Sequence, residues 1–285
     1  MLSTVSIHGW PPPADIDLGE IARFVRELVG DIVRVERPLT VPPDRLNETA
    51  EAFARARVFN PTLPLQERTL LPMEIEYEKR RLIEPSEMRT GILYDGFAFC
   101  QIAAGLLGHG SVGGHGGPPL PAVRRRSHLH VVFTDQLVGT MDADDRRYHA
   151  RTAVFSVPVA ISSAGLVLAP ARPREYYLAK HALRLVGKAE GAEALLGSQS
   201  AGRWLERGDP RMTDVAKGYA AQAVAFQLWG DPFCQDPACR LFNAHRQEEM
   251  IRAQLESGKL CEMHQDMFHM KKAERRVSNN RPTAR

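Results

Sequence analysis

The sequence predicts an α/β fold built on a mixed, partly parallel sheet with flanking helices and a C-terminal helical region. Three observations carry this expectation. Over the first 60 residues, short β-rich runs alternate with runs of helical periodicity. The stretch from Ala153 to Ile161 is mostly apolar, as a strand buried on both faces requires. Met212, Val215, Tyr219, Ala223 and Phe226 recur every three or four residues and so form one buried helical stripe.

Taken in order, Leu2 to Ile7 reads as a strand, and Pro11 to Pro13 close it. Leu18, Ile21, Phe24, Val25, Leu28 and Val29 then keep helical spacing up to Gly30. Asp31 to Leu39 reads as a second strand, and Leu46 to Arg57 as a second helix. From Pro61 to Thr90 the signals are mixed. Asp95 to Leu107 is an apolar, buried helix in which Cys100 is a core residue. Residues 108–121 hold six glycines and three prolines, which makes a loop. His109 and His115 sit in that loop. Three extended segments follow: His128 to Thr134, Thr152 to Ile161, and Gly165 to Ala169. Pro158 interrupts the second and predicts an edge or a bulge there. Asp142 to His149 is a charged connection on the surface. Asp209-Pro210 opens the buried helix as cap and first residue, and Gly230 ends it. On that helix Lys217 and Gln222 are expected on a solvated face. A polar helix follows over Ala244 to Ser257, with Met250, Ile251 and Leu255 inward. Together these describe one α/β domain over residues 1–270, with an N-terminal half 1–107 and a C-terminal half 122–270, and a basic disordered tail over 271–285.

The net charge of +3 is concentrated in that last segment. Residues 271–285 carry six basic side chains against Glu274, which is +5, so residues 1–270 sum to −2 (3 − 5). A body without excess positive charge argues against nucleic acid as a partner, although the tail and Arg124 to Arg126 would be the contact if one existed. No apolar run approaches the roughly 20 residues of a membrane-spanning helix, and the first ten residues do not read as a secretion signal. The expectation is a cytoplasmic protein without a membrane partner.

In such a compartment thiols stay reduced, and clustered cysteines point to metal before disulfides. Cys234 and Cys239 are separated by four residues, and Cys261 precedes His264 by three positions. Two close pairs of soft and borderline ligands suit one tetrahedral Zn2+ and predict a zinc-stabilised helical region. All four positions would be filled by protein, so such an ion stabilises folding and leaves no place for water or substrate. His245 is an alternative ligand or a neighbour that supports one.

The order of buried helix, Gly230, Cys234, Cys239 and the later Cys261/His264 pair resembles the C-terminal half of the archaemetzincins, zinc metallopeptidases of the metzincin group. Phe233 to Asn243 is similar to the family's segment after the helix, and Val131 to Asp135 with Ala153 to Ile161 to its central sheet. The resemblance implies a metzincin-like fold and a structural zinc on Cys234, Cys239, Cys261 and His264, where the family has a fourth cysteine in place of the histidine. It also implies where a peptidase metal would sit. The family's His-Glu-x2-His-x2-Gly-x2-His run, placed on Gly230 and Cys234, puts Ala223, Gln227 and Phe233 at the three histidines and Val224 at the glutamate. The sequence contains no His-Glu-x2-His. Alanine, valine and phenylalanine offer neither lone pairs for a metal nor a base for its water.

The reading is therefore an archaemetzincin-like protein that keeps the structural zinc, lacks the catalytic motif, and binds a peptide or protein partner. Its rival is an active metal-dependent hydrolase with other ligands, drawn from His128 and His130, two apart on one strand, with His149, His181, His245 and Asp135. Nucleic-acid binding through the basic tail is the weakest of the three.

Overall fold

The computed structural model describes residues 2–84, 91–108, 127–187 and 202–279, with side chains as far as 275. The glycine-rich stretch from 109 on, with His109, His115 and Arg124 to Arg126, lies outside the described residues. Among the described residues no helix is long and apolar enough to cross a membrane.

The chain forms two mixed sheets with helices against them. The larger has the order β2 (Val33–Val35), β1 (Thr4–Gly9), β4 (His128–Thr134), β8 (Val159–Ser162), β7 (Ala153–Val154). Its first four strands are parallel, and β7 is antiparallel to β8. The smaller sheet joins β3 (Leu93–Asp95), β5 (Leu137–Asp142) and β6 (Arg147–Arg151), with β5 parallel to β3 and antiparallel to β6.

Alternate residues of β1, β4 and β8 build two cores. Val5, Ile7, Leu129, Val131, Phe133, Val159 and Ile161 pack with α1 (Leu18–Val29) and α7 (Met212–Trp229). On the opposite face Val132 and Ala160 meet Trp10, Phe53, Tyr94 and Phe99, which come from β1's end, α2 (Leu46–Ala56), β3 and α4 (Gly96–Leu106). Local chemistry sets the helix ends. Asp17 accepts from the amides of Gly19 and Glu20 at the start of α1, and Asp95 accepts from Ala98 at the start of α4. Gly230 ends α7 at φ 80°, a left-handed conformation that glycine adopts without strain.

Several elements differ from expectation. The second strand is shortened to Val33–Val35. The apolar run through Pro158 is not one strand: β7 and β8 are antiparallel partners, and the chain reverses over Phe155 to Pro158. Proline cannot donate to a ladder, so the break falls where the ring sits. Gly165 to Ala169 is not extended but belongs to α5 (Ser163–Leu168), because the Ser162 hydroxyl caps the Gly165 amide. α7 begins at Met212, after the expected Asp209 cap. Gln222 is buried, not solvated, and donates to the Phe242 carbonyl.

The stretch with mixed signals holds α3 (Pro72–Ile83), tied in by a buried ion cluster. Glu78 accepts from Arg57 at 2.6 Å, from Arg81 at 2.9 Å and from the Tyr94 hydroxyl at 2.8 Å. Past β8, α5 is followed by α6 (Arg174–Leu185), and α7 by α8 (Gln247–Ile251), which runs on as a π-helical turn over Arg252–Ser257. The last helix, α9, spans Glu262–Asn279. Residues 271–279, expected as part of a disordered tail, are therefore helical, and 280–285 lie outside the described residues. The reason is tertiary: Lys272 donates to the Glu27 carbonyl at 2.8 Å, and Arg275 to that of Ser3 at 3.2 Å.

Candidate metal centre

Cys234 and Cys239 lie on the loop that leaves α7, Cys261 immediately precedes α9, and His264 stands in its first turn. Three residues apart at a helix start, Cys261 and His264 share a face. Two isolated bridges, Cys234 to Phe242 and Cys239 to Lys259, fold the loop back so that both pairs meet. One ligand atom from each of the four residues falls within 4.8 Å of all the others.

The distances fit a tetrahedral ion. Bonds of about 2.3 Å from zinc to sulfur place sulfurs about 3.8 Å apart. Cys234 Sγ is 3.9 Å from Cys261 Sγ, and His264 Nδ1 is 3.9 Å from Cys239 Sγ and 3.1 Å from Cys261 Sγ. The cysteines are free thiols. Backbone amides point at the sulfurs: Asp236 at Cys234, and Leu241 and Cys261 at Cys239, each at 3.4 Å. Such donors favour thiolate over thiol.

Burial acts the other way. It raises the Cys234 thiol, which Cys261 raises further and a contact with Cys239 lowers, and it pushes Cys239 up to about 12, with Cys234 and Cys261 adding to the rise. Burial lowers His264, against a smaller opposing effect of Asp231, which keeps the imidazole neutral as a ligand must be. A divalent cation at this point reverses the balance for the thiols, since its charge holds them deprotonated. The donor set thus suits a soft or borderline dication, and the four protein ligands leave no open position.

The other sequence-derived candidates fall elsewhere. His128 and His130 do point the same way, with ring centroids 3.9 Å apart. They meet His8, which the sequence reading did not single out: its Nε2 lies 3.0 Å from His130 Nδ1. The pairing register of β1 with β4 brings them together. Ser6 joins them, donating to Glu36 at 2.9 Å and lying 3.0 Å from His128 Nε2. The His8 and His130 rings are within 22° of coplanar, and their centroids are 2.3 Å further apart than the nitrogens (5.3 − 3.0). That is the head-on geometry of one shared proton, with no room for an ion between.

His149 instead meets Asp142 and Asp145 at the β5–β6 turn, an exposed group whose ligand atoms also lie within 4.8 Å of one another. Its Nε2 is 2.6 Å from Asp145. His181 and His245 are exposed, and among the described residues neither joins a group of converged ligands.

At the positions where the motif resemblance would put a catalytic histidine and glutamate, Ala223 and Val224 are fully buried in the core. Phe233 packs edge to face on Phe155 at 5.5 Å, and Phe226 lies 5.6 Å from the same ring.

No curated protein matches the chain. Among solved structures, the archaemetzincin of Methanopyrus kandleri is similar at 11% identity over 95% of each chain, with a TM-score of 0.45. A family model described as "Probable metallopeptidase family (DUF6775)" matches residues 1–271. With nearly its whole length matched, the chain belongs to this probable metallopeptidase family.

Proposed function

We propose that this chain is a metallopeptidase homologue that holds one structural zinc on Cys234, Cys239, Cys261 and His264 and binds a peptide or protein partner without cleaving it. The observation that supports this reading is the aromatic packing of Phe155, Phe226 and Phe233 beside the buried Ala223 and Val224. Where the motif resemblance calls for three imidazoles and a carboxylate, the chain has the apolar Ala223, Phe233 and Val224, and an amide at Gln227. Metal-assisted hydrolysis needs an ion with an open position and a base for its water, and these side chains supply neither. The zinc would tie the loop after α7 to the start of α9, and its binding free energy would be folding free energy. Free thiols at the four-ligand cluster are compatible with a reducing compartment such as the cytoplasm, which is part of this reading.

The test is metal content per chain, by elemental analysis of protein purified without a metal-affinity tag, together with an unbiased peptide-cleavage assay. One zinc equivalent and no cleavage is the expected result. Two metal equivalents with chelator-sensitive cleavage would establish an active hydrolase with other ligands and overturn the reading.

A further inference from the structure

The C-terminal part of α9 lies against the end of α1 and the start of β1, and two adjoining cavities open along this seam. One, of about 380 Å3, is lined by Arg26, Lys272 and Arg275 with Asp31, Val29 and Ile32. The other, of about 350 Å3, shares Val29, Lys272 and Arg275 and adds Leu2, Leu228 and the Lys271–Glu274 ion pair.

The three cations of the first cavity have a common feature. Each donates to a backbone carbonyl: Arg26 to Val33 at 3.2 Å, Lys272 to Glu27 at 2.8 Å, and Arg275 to Ser3 at 3.2 Å. Among the described residues, no ion pair joins any of them to a carboxylate. Part of their role is structural, since cations near the last turn of α1 complement its dipole. One carbonyl apiece nevertheless leaves further N–H donors on every side chain. Among the described residues Asp31 is the only acid lining this cavity, so the described walls carry +2 (3 − 1). Burial lowers Arg275, which marks its guanidinium as partly desolvated and still cationic.

We infer that this seam is a binding site for an acidic peptide segment, whose carboxylate is held by Arg26, Lys272 and Arg275 and whose apolar side chain enters the neighbouring cavity against Leu2, Val29 and Leu228. Charge complementarity selects the anion, and the apolar floor selects what is attached to it. Among the described residues no aromatic side chain lines either cavity, so those residues offer no stacking platform of the kind single-stranded nucleic acid uses. The site does not depend on the zinc assignment.

The test is fluorescence anisotropy of the full-length protein with a labelled decapeptide alternating glutamate and leucine. The double variant Lys272→Gln/Arg275→Gln weakens binding by about tenfold or more. Asp31→Asn, which raises the cavity to +3 (2 + 1), tightens it, and a misfolded protein cannot produce that result. Wild-type protein that does not bind the peptide, or an Asp31→Asn variant that binds no tighter, overturns the inference. Single-stranded DNA of equal length binding tighter than the peptide overturns it as well and assigns the seam to nucleic acid.

Discussion

The backbone amide of Cys261 donates to Cys239 Sγ at 3.4 Å across 22 residues of chain. That contact brings Cys261 and His264 onto Cys234 and Cys239. The stretch between the two pairs carries Leu241, Met250 and Leu260 into the main core, so the sulfurs and whatever they bind reinforce a closure that apolar packing also holds. Replacing Cys239 with Ser is expected to abolish metal binding and to unfold the region from Asp231 to Phe268 first. Apparent zinc binding energies of about 10–16 kcal/mol in small zinc domains set the upper scale of the loss. Zinc content and melting temperature check it together, and a variant with full zinc and an unchanged Tm would rule Cys239 out as a ligand.

A second prediction concerns the buried carboxylate. Glu78 is fully buried and faces Arg57, Arg81 and the Tyr94 hydroxyl. Glu78→Gln removes the one negative charge that compensates two guanidinium groups. The expected loss is about 3 kcal/mol or more, because uncompensated buried charges remain. Urea unfolding of the variant measures it, and a loss below about 0.5 kcal/mol would show the cluster to be screened by solvent.

Alkaline sensitivity follows from groups away from the metal centre. Burial pushes the Cys100 thiol up to about 12, with Asp95 adding to the rise, and burial pushes the Tyr219 hydroxyl up to about 12. Both folded values lie above the unfolded ones, so the stability these groups contribute is complete below about pH 9 and is lost as pH rises toward 12. Denaturant titrations at pH 8 and pH 10.5 should show the fall. In Cys100→Ala the slope should be shallower by up to about 1.4 kcal/mol per pH unit.

Gly218 offers a steric test of how α7 is coupled to the metal loop. A Cβ there would collide with the side-chain amide of Gln254, which donates to the Arg240 carbonyl beside Cys239. Gly218→Ala should displace Gln254, lower Tm, and speed zinc release to a chelator. Unchanged release kinetics with a lowered Tm would show that the collision is absorbed within α7.

Much of this architecture was legible in the sequence, and the legible parts share a cause. Asp95 and Gly230 set helix ends through their own backbone and side-chain chemistry, and the Cys234/Cys239 and Cys261/His264 pairs stand out by spacing. What escaped the reading depends on partners far away in the chain. His8 is a single residue in a short strand until β1–β4 pairing sets it beside His130, 122 positions later. Glu78 looks like one more acid in a polar helix until Arg57 and Tyr94 close over it. Lys272 and Arg275 have the composition of a solvated tail, and their fit to the carbonyls of Glu27 and Ser3 exists only once the distant N-terminal elements are in place.

The same fit bears on how the chain is made. α9 leaves the ribosome after every other described element, yet its contact to Ser3 spans 272 residues and its contact to Glu27 spans 245. During synthesis the seam beside β1 and α1 therefore stays uncovered until the chain has emerged through Arg275. A nascent chain stalled before Cys261 would display that surface to chaperones and to any acidic segment within reach. Formation of α9 is thus the step that covers the seam.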